Sequence, residues 1–371
     1  MKMMSRAALW VAVVCTVGVA APARAQDSHV TVTIDPGPGQ QLADALGIQV
    51  SEIEKQLGDR MTSAFSLLRP AEYLRAMADA QAFSNKGLGV DYAALFDYVM
   101  VGASGSVALA LGDLGFAEAD ADQPVGGMTP NVTVMAGVNF SFIGASWLTL
   151  YANFFAYDFQ YQDLTAKIRN VGVHAQVNFF RPDSDSDSDA ADADDDDDDD
   201  DGGSSGLLEW GGIRLTGGYQ WSSLAFTLAQ QMETDLPLAG PNSSITAQLH
   251  STGTFDINNV GNSIPLEATT SVRLLWIAGL YGGLGFDAQL GGSDMKIALN
   301  GNITATDPRD GSTIDLGAAN VTATSHAKPS DARIRFLVGA ELHLWILKVF
   351  FQANILPERA VSAAFGARVA L

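Results

Sequence analysis

From about Tyr98 to the last residue, apolar and polar side chains alternate with a period of two. In "PNVTVMAGVNFSF" (130–142), Val132, Val134, Ala136, Val138, Phe140 and Phe142 share one face. Asn131, Thr133, Gly137, Asn139 and Ser141 share the other. Leu266, Ala268, Val272, Leu274 and Trp276 likewise oppose Glu267, Thr269, Ser271 and Arg273. Ile334, Phe336, Val338, Ala340, Leu342 and Leu344 oppose Arg333, Arg335, Glu341 and His343. Such runs match a strand tilted across a bilayer, ~9–11 residues, better than the five or six or so of a soluble sheet.

Candidate strands fall near 97–111, 130–142, 146–158, 164–180, 207–220, 222–235, 244–257, 264–277, 278–290, 294–305, 314–325, 332–344, 346–355 and 360–371. That is fourteen, an even number, as a closed bacterial barrel requires. The segments 244–257 and 314–325 carry the weakest pattern, and twelve is the alternative count. Within 164–180 the apolar parity flips near Asn170, which predicts a bulge. The expected fold is therefore all-β: a closed antiparallel transmembrane β-barrel of about fourteen strands over residues 91–371, with a short N-terminal helical segment. A soluble sandwich would alternate too. Against it stand the aliphatic, Phe-rich character of one face and the placing of Trp147, Trp276 and Trp345 at tight turns, where interfacial aromatic belts lie.

The start of the chain supports export. Lys2 and Arg6 precede the apolar "AALWVAVVCTVGVAA", and "ARA" at 23–25 is a small-x-small cleavage site. Residues 1–25 read as a signal peptide, cut after Ala25. Cys15, the only cysteine, lies inside it, and Val14 before it fits a lipoprotein site poorly. The mature chain then has neither disulfides nor thiolate metal sites. Residues 26–90 are helical in pattern. Leu42, Leu46, Val50, Ile53 and Leu57 recur at spacings of three and four, predicting a helix over 40–57. A second is predicted from Pro70 through "AEYLRAMADAQAF", stopped by "SNKGLG". The pair either covers another surface or forms a plug. Tethered next to the first strand, it is expected to dock in or across the periplasmic mouth, burying Leu42, Leu46, Val50, Ile53, Leu74 and Met77.

A net charge of -21 argues against a nucleic-acid partner. Much of that excess sits in the Asp-rich low-complexity stretch at 183–205. Like charges repel, so a solvated loop is expected; weak association with divalent cations such as Ca²⁺ is its one chemical offer. Strand parity puts this run on the periplasmic side.

The last strand, "FGARVAL", places Gly366, Val369 and Leu371 where outer-membrane barrels commonly carry their recognition signal. It resembles that pattern, with Leu371 in the usual place of Phe, and implies the barrel-assembly machinery as a partner. In layout the chain is similar to the outer-membrane fatty-acid transporter family, which joins a fourteen-stranded barrel to an N-terminal plug. The resemblance implies a cell outer-membrane location and contact with outer-membrane lipid.

No G-x-S-x-G or H-E-x-x-H motif occurs, and no catalytic constellation is found. The glycine-rich "GLYGGLGFDAQLGG" lies in a strand pattern with no helix behind it, so it is no nucleotide loop. The chain is not expected to be an enzyme, and no metal or cofactor is expected. The lumen-facing candidates are Arg214, Glu267, Arg273, Tyr281, Asp287, Arg333, Arg335, Glu341, His343, Lys348 and Arg368. They would either set a transverse field in a pore or fill the interior as a salt-bridge network. The leading expectation is a channel or transporter for an unknown small solute, hydrophobic or polar. The alternative is a non-transporting structural or adhesion barrel.

Overall fold

The computed structural model describes residues 29–34, 36–67, 70–93, 96–111, 126–180, 208–239, 244–275, 277–306, 313–330, 332–357 and 359–371. The expected signal peptide, the Asp run and Trp276 lie outside the described residues. The elements run β1 (His29–Ile34), α1 (Pro36–Leu46), α2 (Val50–Leu67), α3 (Pro70–Ser84), β2 (Val99–Ala110), β3 (Gly127–Phe140), β4 (Ala145–Tyr161), β5 (Leu164–Phe180) and β6 (Leu208–Ala239). They continue with β7 (Ser244–Leu274), β8 (Ala278–Thr306), β9 (Thr313–Ala327), β10 (Ala332–Leu344), β11 (Leu347–Leu356) and β12 (Ala360–Ala370). The helix expected over 40–57 is two helices. Gly47, at φ 73, ends the first in a conformation that glycine adopts freely.

Every pairing is antiparallel. β2 to β8 pair in sequence order. The first half of β8 pairs with β10, then β10 with β11, β11 with β12, and β12 back with β2, from Ala360↔Ala110 to Ala370↔Met100. The sheet thus closes into a ring. The second half of β8 pairs instead with β9, and β9 with β1. β9 and β10 follow one another along the same edge of β8, so the ring has ten positions while the whole sheet has twelve strands.

The fourteen expected segments are strand, but three pairs of them run on without a break. Segments 207–220 and 222–235 are β6, 244–257 and 264–277 are β7, and 278–290 and 294–305 are β8. The glycine-rich stretches that suggest turns lie opposite one another: Gly261 pairs with Gly291, and Val260 with Gly292. Gly291 sits at φ 132, and a Cβ there would lie 2.0 Å from the Val260 carbonyl oxygen. Glycine permits the close approach, and the ladder continues through it. The bulge expected at Asn170 is also absent. Pairing there is regular, and the register shift falls at Asn178/Phe180. What changes at Asn170 is the outward face, where exposed Arg169 and Asp158 meet at 3.4 Å.

The outward face of the ring is apolar on every side. Val134, Phe154, Val173, Leu215, Leu266, Leu284, Phe336, Val338, Phe351 and Phe365 are all exposed, at 38–68%. Facing inward are buried Asn131, Thr133, Asn170, Gln176, Thr216, Gln352 and Asn354. A water-soluble chain arranges its faces the other way round. The turns at 141–144 and 345–346, and the ends of β7 and β8 at Leu274 and Ala278, share one end of the ring with Leu371. Trp345 (89% exposed) and Trp147 (54%) lie at this near end. At the far end β6, β7, β8 and β9 stand out beyond the ring. The 32 residues of β6 reach about 100 Å at ~3.3 Å each, whereas the 12 of β2 reach about 40 Å.

Candidate functional site: the filled bore of the ring

A ten-stranded ring is wider than the eight-stranded barrels that side chains alone can fill. Here a second piece of chain occupies it. Helix α3 enters from the far end, where Leu74 packs on Ile257, Met295, Ala323 and Ala327. Lower down, Asp79 pairs with Arg333 and accepts the Ser330 backbone N–H at 2.9 Å. Phe83 then packs against Ala108, Ala110, Leu356 and Ala360. The helix stops at Ser84, as the sequence predicts. The chain goes on through "NKGLGVDYA" until Tyr98 donates its backbone N–H to Leu371 at the near end, 2.8 Å.

Burial on every side demands a partner for each polar group of this segment. Asn85 Nδ2 donates to Ser222 Oγ at 2.6 Å, and Asn131 Nδ2 donates to Asn85 Oδ1. Ser106, Gln176, Gln220, Asn354 and Arg368 donate to the carbonyls of Ser84, Asp91, Asn85, Lys86 and Val90. Phe96 packs edge-on against Tyr151 of β4. The segment therefore touches all ten positions of the ring. Gly87 and Gly89 lie at φ 78 and 91, and a Cβ on Gly87 would meet Gln352 Nε2 at 1.9 Å.

The charges form two connected groups. In the upper one, Lys86 Nζ lies 2.9 Å from Asp287 and donates to Ser263 Oγ at 2.9 Å. Arg335 donates to Asp287 at 2.8 Å, to Asn354 at 2.6 Å, and to Glu267. Tyr92 OH also donates to Glu267, at 2.5 Å. In the lower one, Asp91 faces Arg368 at 3.3 Å and Lys348 at 3.2 Å, while Arg368 also pairs with Glu341. Below and beside these lies an apolar layer. Tyr92 stacks on Tyr281 at 5.6 Å, and Arg368 sits 4.5 Å over the Phe350 ring.

Nine of the eleven lumen-facing residues named from the sequence are buried in this bore: Arg214, Glu267, Tyr281, Asp287, Arg333, Arg335, Glu341, Lys348 and Arg368. Arg214 donates to the Tyr92 carbonyl at 2.7 Å. His343 Nε2 lies 2.7 Å from Glu341 Oε1 near the rim. Arg273 stands apart, a third exposed, and pairs with Glu209 at 3.3 Å. A Cβ on Gly339 would lie 2.3 Å from the Tyr281 ring, so its role is to make room for a neighbour. Sequence reasoning missed Asp79, Lys86, Asp91 and Tyr92. The available signal was three charges, Asp79, Lys86 and Asp91, in an otherwise uncharged stretch, 76–93.

The first two helices do not dock at the end where the segment joins β2, the mouth expected to be periplasmic. Leu42, Leu46, Ile53, Leu74 and Met77 are buried and Val50 half-buried, but α1 packs on β9 and α2 on β1, at the opposite end of the ring. At the C-terminus, Leu371 donates its backbone N–H to Val99 at 2.9 Å, while Val369 pairs with Val101 and Gly366 with Ser104. All three residues of the expected assembly signal lie on the seam between last and first ring strands.

Residues 199–371, which take in β6 to β12, match a family described as Lsa36-like. No curated protein matches the chain. Among solved structures it is similar to the translocator domain of the autotransporter NalP from Neisseria meningitidis, at 11% identity and a TM-score of 0.31, over 78% of this chain and 93% of that one. The Ralstonia pickettii toluene transporter TbuX shows 8% identity and a TM-score of 0.22, over 80% and 93%. A Pseudomonas aeruginosa FadL homologue shows 7% identity and 0.24, over 80% and 98%.

Proposed function

We propose that the chain is an outer-membrane β-barrel held shut by its own N-terminal segment, serving as a closed anchor that presents the far-end strands and helices. A closed antiparallel ring with an apolar exterior satisfies its backbone internally, which is the condition for spanning lipid with strands. The longer excursions of such barrels lie on the outer side, so the overhanging strands β6 to β9 are assigned outward and the near end to the periplasm. The acidic run between β5 and β6 then leaves from the periplasmic side. The observation that carries the closed-bore reading is the Lys86–Asp287 pair, with both side chains wholly buried in the middle of the ring. An open aqueous channel would hydrate them.

Conductance in a planar bilayer tests this. The full-length chain should pass no steady current, and a chain lacking residues 29–90 should pass one. A steady current from the full-length chain equal to that of the deletion would overturn the reading. A second reading, gated passage of a small apolar molecule, rests on the apolar layer of Tyr92, Phe96, Met135, Tyr151, Tyr281 and Phe350 at the near end. It requires the segment to move. A disulfide between Asn85→Cys and Ser222→Cys should then abolish uptake of an apolar solute into liposomes.

A further inference from the structure

We infer that the N-terminal segment crosses the membrane inside its own ring, so that residues 29–67 stand on the outer side of the cell as part of a folded lobe. The inference rests on the outer-membrane reading above and adds a sidedness to it. The contacts follow chain order without reversal. Leu74 lies against Ile257, Lys86 against Ser263, Tyr92 against Glu267, and Tyr98 bonds Leu371. Moving from Ile257 to Ser263 to Glu267 is a steady descent along β7 toward the near end. The segment is thus a thread through the full depth of the apolar belt, and what precedes α3 lies beyond the far rim.

The part beyond the rim is built into the protruding sheet. β1 adds to the free edge of β9 over six paired residues, His29↔Thr324 to Ile34↔Ala319. The Ile34 backbone N–H donates to Glu54 of α2 at 3.1 Å. Leu42, Leu46, Ile53 and Leu57 are each under 5% exposed. A strand edge capped by β1 and an apolar helix face buried against the sheet hold the segment there, as edge strands require. Its polar flank, including Lys55 and Asp59, faces solvent.

Single cysteines test the placement, because Cys15, inside the expected signal peptide, is the only native cysteine. Lys55→Cys reports on α2, Arg359→Cys on the far rim between β11 and β12, and Trp345→Cys on the near-end turn. Intact cells are treated with a bulky, membrane-impermeant maleimide before and after the outer membrane is opened. The expected result is labelling of Lys55→Cys and Arg359→Cys on intact cells, with Trp345→Cys labelled only after opening. If Arg359→Cys labels on intact cells while Lys55→Cys behaves like Trp345→Cys, the threading is wrong and the barrel reading stands. If only Trp345→Cys labels on intact cells, the segment is inside the cell and the outer placement falls. If all three behave alike, the membrane reading fails and takes this inference with it.

Discussion

Lys86 and Asp287 lie 2.9 Å apart with neither side chain exposed, although one belongs to the N-terminal segment and the other to β8, 201 positions on. A buried ion pair adds little net stability compared with well-packed apolar residues, but breaking one is costly because the survivor stays buried and unpaired. The pair therefore acts as a register lock, and its two halves are unequal. Asp287 faces both Lys86 and Arg335.

Asp287→Leu leaves Lys86 without a carboxylate and takes from Arg335 one of its two, and should cost about 3–5 kcal/mol. Lys86→Met leaves Asp287 with Arg335 and should cost less. The temperature at which the folded band disappears on an SDS gel measures both. Equal losses would show that Arg335 does not hold the carboxylate.

Val338 and Gly339 test the two faces of one strand. Val338→Arg places a charge at mid-belt on the lipid side and should cost ~2–4 kcal/mol. On the inner side even a methyl group is excluded, because a Cβ on Gly339 would overlap the Tyr281 ring. Gly339→Ala should thus destabilise the barrel more than Val338→Ala. The opposite order would reverse the face assignment.

Gly87 and Gly144 share a φ of 78, but only Gly87 is enclosed; around Gly144 nothing lies within 4 Å of a built Cβ. Gly87→Ala should cost more than about 1 kcal/mol from backbone strain alone, with overlap added. Gly144→Ala bears the strain only. Similar melting temperatures for the two variants would mean that the segment is not packed against Gln352.

Removing residues 183–201 should leave the heat-induced gel shift unchanged. The β5–β6 register runs from Leu164↔Leu228 to Asn178↔Arg214 without help from the loop. Calcium should not raise the melting temperature. A calcium-dependent rise that the deletion removes would make the acidic run an ordered metal site.

The two faces of the ring were legible because a period of two is a local property. Val338 and Arg335 sort correctly from their neighbours alone. Strand length was not, because a turn and a glycine-faced stretch of continuous ladder carry the same residues; the gaps between candidate segments fall at Gly261 and Gly291, which the structure pairs with each other. The inward charges of β7, β8 and β10 were legible as a set. Their partners were not, since Asp79, Lys86 and Asp91 meet them only after a thread has found its depth in a ring. The side on which the helices sit failed for a related reason. Proximity in sequence to β2 says where the segment leaves the bore, and nothing about where it enters.

A thread fixed at both ends to the hoop around it cannot be drawn out intact. Beyond the far rim, α1, α2 and β1 are folded onto the sheet, and at the near end the segment continues into β2. Thread and hoop therefore part only if the lobe beyond the far rim unfolds or the ring opens. Within the ring, all neighbours but two pairs follow directly in sequence, and of those two only β12 with β2 joins the last strand to the first. That seam, ending where Leu371 meets Val99, is the clasp. A clasp closed without the thread would leave an empty hoop with its charges unmet.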